Sequence, residues 1–124
     1  MSVANTALLY NLGLLAFPVT DDLTAGPAST QNGAPVLNGE LCRCVSSGVN
    51  GSFMLKSLLT QDAPPLVFVV NDSPNTIKVY PFTGENVGGS GNSPLSIPAG
   101  QSGIFISVPN AKGGTQDWRS AVIP

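Results

Sequence analysis

The sequence predicts an all-β domain, an antiparallel β-sandwich of jelly-roll type preceded by an extended or short-helical N-terminal arm. Three observations carry that expectation. Short runs of β-branched and aromatic residues recur, with period-two alternation in several of them. Fourteen Gly and eleven Pro punctuate the 124 residues, as a domain with many turns requires. Between Leu66–Val70 and Ile77–Tyr80 lies the dense turn cluster Asn71-Asp72-Ser73-Pro74-Asn75-Thr76, the signature of a β-hairpin or of two strands on a short connection.

The chain divides into an arm and loop over residues 1–38 and a β-sandwich domain over 39–124. Asn5 and Thr6 are suited to cap a short helix through Ala7–Leu15, although Gly13 weakens it, and Phe17-Pro18 ends the segment. The same residues suit an extended arm. Asp21 to Asn38 is rich in Asp, Thr, Gly, Pro and Ser and reads as a loop or short irregular edges. Leu41 to Val45 alternates, with Leu41, Arg43 and Val45 on one face and Cys42 and Cys44 on the other. Ser46 to Asn50 is a turn, and Ser52 to Lys56 a strand that places Phe53 with Leu55. Leu66 to Val70 is apolar throughout, which implies cover on both faces. Ile77 and Val79 oppose Lys78 and Tyr80. Pro81 to Pro94, with four glycines, reads as a long flexible loop. Leu95 and Ile97 form a short strand, Pro98 to Gln101 a turn. Gly103 to Val108 follows, with Ile104, Ile106 and Val108 expected inward. Asp117 to Ile123 closes the domain around Trp118. The total is about six to eight strands, as a sandwich needs.

Composition narrows the function. Only 10% of residues are charged, against roughly 25% in ordinary domains. Such a surface favours assembly with partners, since free monomers usually stay soluble through charge. The five basic residues are scattered and the formal net charge is −2, so the clustered positive patch of a nucleic-acid binder is missing. Ala7 to Phe17 is far shorter than the ~20 residues of a membrane-spanning helix and has no basic flank of a secretory signal.

No motif for chemistry emerges. The chain has no His, which removes Ser-His-Asp and Cys-His arrangements, and two Cys cannot make a four-ligand zinc site. Cys42 and Cys44 read as small, half-buried thiols; at i and i+2 of a strand their Cα atoms lie about 6.5 Å apart, a strained span for a disulfide. Free thiols fit synthesis in a reducing compartment. Gly88-Gly89-Ser90-Gly91 lacks the Lys-Ser/Thr ending and the helix of a phosphate loop, and is a loop tip. The seven acidic residues select no pair for glycoside hydrolysis. The expectation is a protein that is not an enzyme and needs no cofactor. The candidate interface residues are Leu8, Leu9, Leu12, Leu14, Leu15 and Phe17 on the arm, together with Tyr80 and Trp118, large aromatics of a kind that anchor a core or an interface.

The stretch from Leu66 through Tyr80 to Pro81, then Gly84-Glu85-Asn86-Val87-Gly88-Gly89, the Ile97-Pro98-Ala99-Gly100-Gln101-Ser102-Gly103-Ile104-Phe105-Ile106 turn and strand, and Trp118-Arg119-Ser120 resemble a β module of tailed-phage virion proteins, most like the head decoration or cement proteins of icosahedral capsids. The resemblance covers about half the chain, in pattern and not by alignment. It implies a non-enzymatic homo-oligomer, with a trimer favoured, on the capsid surface of the virion, bound to the major capsid protein and stapling the shell. The alternative is a receptor- or glycan-binding module of a tail or fibre, which needs exposed ring faces at Tyr80 or Trp118.

Overall fold

A computed structural model of the protein describes residues 19–26, 30–60, 63–111 and 113–124. Among the described residues there are ten strands and no helix: β1 (Val19–Thr24), β2 (Leu41–Ser46), β3 (Gly51–Met54), β4 (Leu66–Asn71), β5 (Ile77–Tyr80), β6 (Asn86–Val87), β7 (Ser90–Gly91), β8 (Leu95–Ile97), β9 (Ser102–Ala111) and β10 (Thr115–Ile123). They form a seven-stranded sheet in the order β1-β2-β4-β9-β10-β6-β7 and a three-stranded sheet in the order β3-β5-β8. The described residues are thus all-β with a sandwich-like build, as the sequence predicts.

Strand pairing departs from the antiparallel expectation. The β1–β2, β2–β4, β3–β5 and β10–β6 pairs are parallel, while β4–β9, β9–β10, β5–β8 and β6–β7 are antiparallel. The cause lies in the turns. β4 and β5 do not form a hairpin with each other; the chain leaves the large sheet after Asn71 and enters the small one at Ile77. β2 and β3 cross between the sheets in the same way. Successive passes therefore stack in parallel, with Leu41 opposite Phe68 in one sheet and Gly51 opposite Ile77 in the other. A first, less regular pass runs from β1 to residues 35–37, where Val36 bridges Met54 and the Leu37 amide donates to the Met54 carbonyl at 2.8 Å.

Side-chain amides hold the crossings. Asn71 is fully buried; its Nδ2 donates to the carbonyls of Asn75 (2.8 Å) and Ile97 (2.9 Å), and its Oδ1 accepts from the Ser73 amide (3.1 Å) and hydroxyl (2.6 Å). One residue at the end of β4 thereby shapes the turn and ties the large sheet to β8 of the small one. Asn75 Nδ2 donates to the Ser47 carbonyl at 2.7 Å and fastens this crossing to the one before it. A corner without strand partners needs such donors and acceptors, because buried backbone groups left unpaired are destabilising. The first crossing is tight: a Cβ on Gly51 would meet the Ser47 hydroxyl, the Ala25 Cβ at 2.9 Å and the Gly26 carbonyl at 3.0 Å.

The core lies between the sheets. Cys42, Cys44, Val67, Val69, Phe105 and Trp118 from the large sheet meet Phe53, Ile77, Val79 and Ile97 from the small one. Both thiols are free and buried. Two sequence readings need correction. The inward residues of β9 are Gly103 and Phe105, set opposite Val69 and Val67, whereas Ile106 is 51% exposed. Gly103 leaves room for Ile97, whose Cδ1 would sit 2.6 Å from a Cβ there. Pro81–Pro94 is not an open loop: Gly88 and Gly89 (φ 66° and 81°) form the two-residue turn that primed hairpins favour, joining β6 to β7. That hairpin docks on β10, the Gly88 amide donating to the Trp118 carbonyl at 2.7 Å. Within the 1–38 segment, core residue Leu37 and strand β1 answer to the short irregular edges that the sequence allows between Asp21 and Asn38. β1 is an edge strand with register shifts after Thr20 and Leu23, so it shows no clean alternation.

Candidate functional site

Among the described residues, the large sheet turns one face to the core and leaves the other without a second sheet. On that outer face the cross-strand registers build an apolar band. Leu41 on β2 stands opposite Phe68 on β4, Phe68 opposite Ile104 on β9, and Ile104 opposite Ala121 on β10. Leu66 and Ile106 pair in the adjacent row. Leu41, Leu66, Phe68 and Ile104 are half-buried, while Ile106 and Ala121 are exposed. A shallow depression lined by Ile104, Ile106, Arg119, Ser120 and Ala121 marks the β9–β10 end of the band.

Charge is confined to the margins. Arg43 Nε donates to Asp72 Oδ2 at 2.6 Å, both side chains well exposed, and Arg119 reaches Asp117 at 2.9 Å. In an antiparallel sheet with one wet face, the outward positions are ordinarily polar. Parallel strands, by contrast, are usually covered on both sides. The outer face of β2 and β4 has the composition of a covered face, and the band extends it over β9 and β10. Its chemistry is adhesive: it offers apolar area and shape, with no nucleophile or general base among its six residues.

The polar groups that could suggest other chemistry are engaged in the architecture. The buried Glu85 carboxylate accepts from the Ser57 hydroxyl at 2.6 Å and from the Leu58 amide at 3.0 Å, anchoring the segment after β3. Asp117, also buried, accepts from the Gly89 amide at 3.0 Å besides pairing with Arg119. The glycine-rich turn thus points an amide at a carboxylate of its own chain. Burial pushes the Cys42 and Cys44 thiols above their ordinary value near 9, and the Cys42 thiol donates to the Gly39 carbonyl at 3.3 Å. They are therefore poor nucleophiles near neutrality. Among the described residues, no group of three His, Cys, Asp or Glu could hold a metal ion, and no helix is long and apolar enough to cross a membrane.

Of the sequence-derived interface candidates, Leu8, Leu9, Leu12, Leu14, Leu15 and Phe17 lie outside the described residues. Trp118 has no exposed surface and Tyr80 is only 9% exposed. Trp118 lies in the core, turned by β10 towards the small sheet, whereas Tyr80 is buried on the face of β5 opposite Ile77 and Val79. Neither offers the exposed ring face that sugar stacking requires. The band itself went unread in the sequence, although the unbroken Leu66–Val70 run and the Ile104/Ile106 pair both signalled a second apolar face.

Comparison with protein-family models, with curated proteins and with solved structures finds no match to this chain.

Proposed function

We propose that this protein is a non-enzymatic structural component of a virion, a head decoration or cement protein that binds between major capsid subunits and reinforces the shell. The observation that carries the reading is the apolar band on the outer face of a stiff, cross-tied β body. It supplies an adhesive surface on a chain whose low charge already favours assembly. The phage assignment rests on the resemblance of the segments between Leu66 and Ser120. In this role the body resists deformation, and many copies, each making a modest contact, strengthen a lattice through avidity. A specific contact of this kind needs about 1,000 Å² or more of buried surface, which the arm and the sheet face together would provide.

The decisive experiment is co-sedimentation of the purified chain with tailed-phage capsids stripped of decoration proteins, followed by cryo-electron microscopy of the decorated particles. The expected result is saturable binding at fixed lattice positions, lost when residues 1–17 are removed and weakened at least tenfold by Ile106→Lys. Unsaturable or absent binding, with the chain folded, would reject the reading.

A further inference from the structure

We infer that Asn32 is a site of spontaneous covalent modification, at which the folded chain loses a side-chain amide and gains an aspartate or isoaspartate. The sequence holds three Asn-Gly steps, at 32–33, 38–39 and 50–51. In each, the chain's own backbone can expel the amide. The glycine nitrogen gives its proton to water or hydroxide and attacks the asparagine Cγ. A C–N bond closes a cyclic imide, and the Nδ2 group takes up a proton and leaves as ammonia. Water then opens the imide at one of its two carbonyls. One opening leaves aspartate; the other routes the main chain through Cβ and leaves isoaspartate. Water is the sole co-reactant. Glycine is the favourable follower, since it has no Cβ to crowd the approach and its backbone is the least restricted.

The fold treats the three steps differently. Asn50 is half-buried, and the Gly51 amide already donates to the Gly48 carbonyl at 3.2 Å. Gly51 is buried, opens β3 opposite Ile77, and is packed so closely that a Cβ would meet the Ala25 Cβ at 2.9 Å. Its peptide cannot turn without disrupting the first crossing. Asn38 is exposed, but Gly39 is buried and its carbonyl accepts from the Cys42 thiol at 3.3 Å. The next carbonyl, that of Glu40, accepts from the Phe68 amide at 2.6 Å. In both steps the glycine that must attack is locked into the body.

Asn32-Gly33 is the opposite case. Both residues are exposed, at the centre of a turn closed by a long hydrogen bond from the Ala34 amide to the Gln31 carbonyl, 3.3 Å. Among the described residues, neither the Asn32 side-chain amide nor the Gly33 amide has a hydrogen-bond partner. Nothing lies within 4 Å of where a Gly33 Cβ would stand. Nucleophile and target are therefore adjacent, wet and free to rotate. Exposed turns open locally, whereas paired strands open only with larger units. The product places a new carboxylate on a chain of formal net charge −2, beside Gln31, whose Nε2 holds the Pro81 carbonyl at 2.8 Å and Asn92 Oδ1 at 3.1 Å. None of the outer-band residues takes part, so the inference stands apart from the proposed function.

The test is ageing of the full-length protein in mildly alkaline buffer, with and without urea at an unfolding concentration. Tandem mass spectrometry of digests follows the three sites. In the folded chain, conversion at Asn32 should outpace that at Asn38 and Asn50 by about tenfold or more, and in urea the three rates should converge to within about threefold. No conversion at Asn32, or equal conversion at Asn38 or Asn50, in the folded chain would overturn the inference. An unchanged ranking in urea would do the same, because neighbouring sequence and not the fold would then be the cause. Asn32→Gln supplies a second measurement. On isoelectric focusing the aged parent should accumulate an acidic band that the variant lacks; a band growing equally in both would reject Asn32 as the site.

Discussion

The passes from β1 to β5 and the strands from β6 to β10 use the same backbone chemistry in different ways. In the first region the chain crosses between sheets after each strand, neighbours are parallel, and corners are held by side chains such as Asn71, Ser73 and Asn75. In the second, β9 and β10 form a long antiparallel ladder, and glycines with positive φ (Gly88, Gly89, Gly113, Gly114) make the turns. Ladder pairing satisfies backbone groups locally, whereas crossing strands need polar side chains to do so. The difference teaches where each region is vulnerable: the first at its corners, the second at its packing.

The sharpest way to break that contrast is through Trp118, the largest fully buried side chain, on β10. Trp118→Ala should lower the free energy of unfolding by about 3–5 kcal/mol, measured by denaturant titration, because it leaves a large cavity in the core shared by both sheets. A loss below 1 kcal/mol would mean that the two regions do not share one cooperative core. Next comes Asn71→Ala, which removes two donated and two accepted hydrogen bonds at a crossing, takes the side-chain donor from the Ile97 carbonyl and leaves the Asn75 carbonyl with the Ser73 hydroxyl alone among side-chain donors. The expected cost is about 2–3 kcal/mol. Hydrogen exchange should quicken first at β4, β5 and β8, with the β9–β10 ladder following only on global unfolding.

The smallest effect is that of pH on the first region alone. The buried Cys42 and Cys44 ionise less readily in the folded chain than in the unfolded one. Between the two values the folded state holds more protons, so stability falls as pH rises. The contribution is complete below about pH 9, the ordinary thiol value, and is lost as pH climbs through the folded value. The melting temperature should therefore drop more steeply between pH 8 and 10 for the parent than for Cys42→Ala. Identical slopes would show that the thiol ionises alike in both states across that range.

Much of the fold was legible in the sequence, for reasons that particular residues make plain. Leu41–Val45 and Ile77–Tyr80 alternate, and both form strands, with Cys42 and Cys44 buried on the first and Ile77 and Val79 on the second. β9 misled because both its faces are apolar: Ile104, Ile106 and Val108 look like a core stripe until pairing with β4 places Phe105 and Gly103 inside. The Asn71–Thr76 cluster announces a turn, but whether that turn closes a hairpin or crosses between sheets depends on where Asn71 finds its acceptors, and Ile97 lies 26 residues away. The outer band has the same character. It exists only once four strands are in register, so no single strand displays it.

Stacked parallel passes have no intrinsic stopping point, since each exposes a backbone edge ready to receive another. The shifts of register along β1 disturb the spacing of that edge. A further strand laid against it cannot match its amides and carbonyls in sequence. The irregularity thus makes β1 a poor template for a further strand, a natural guard on an otherwise open flank.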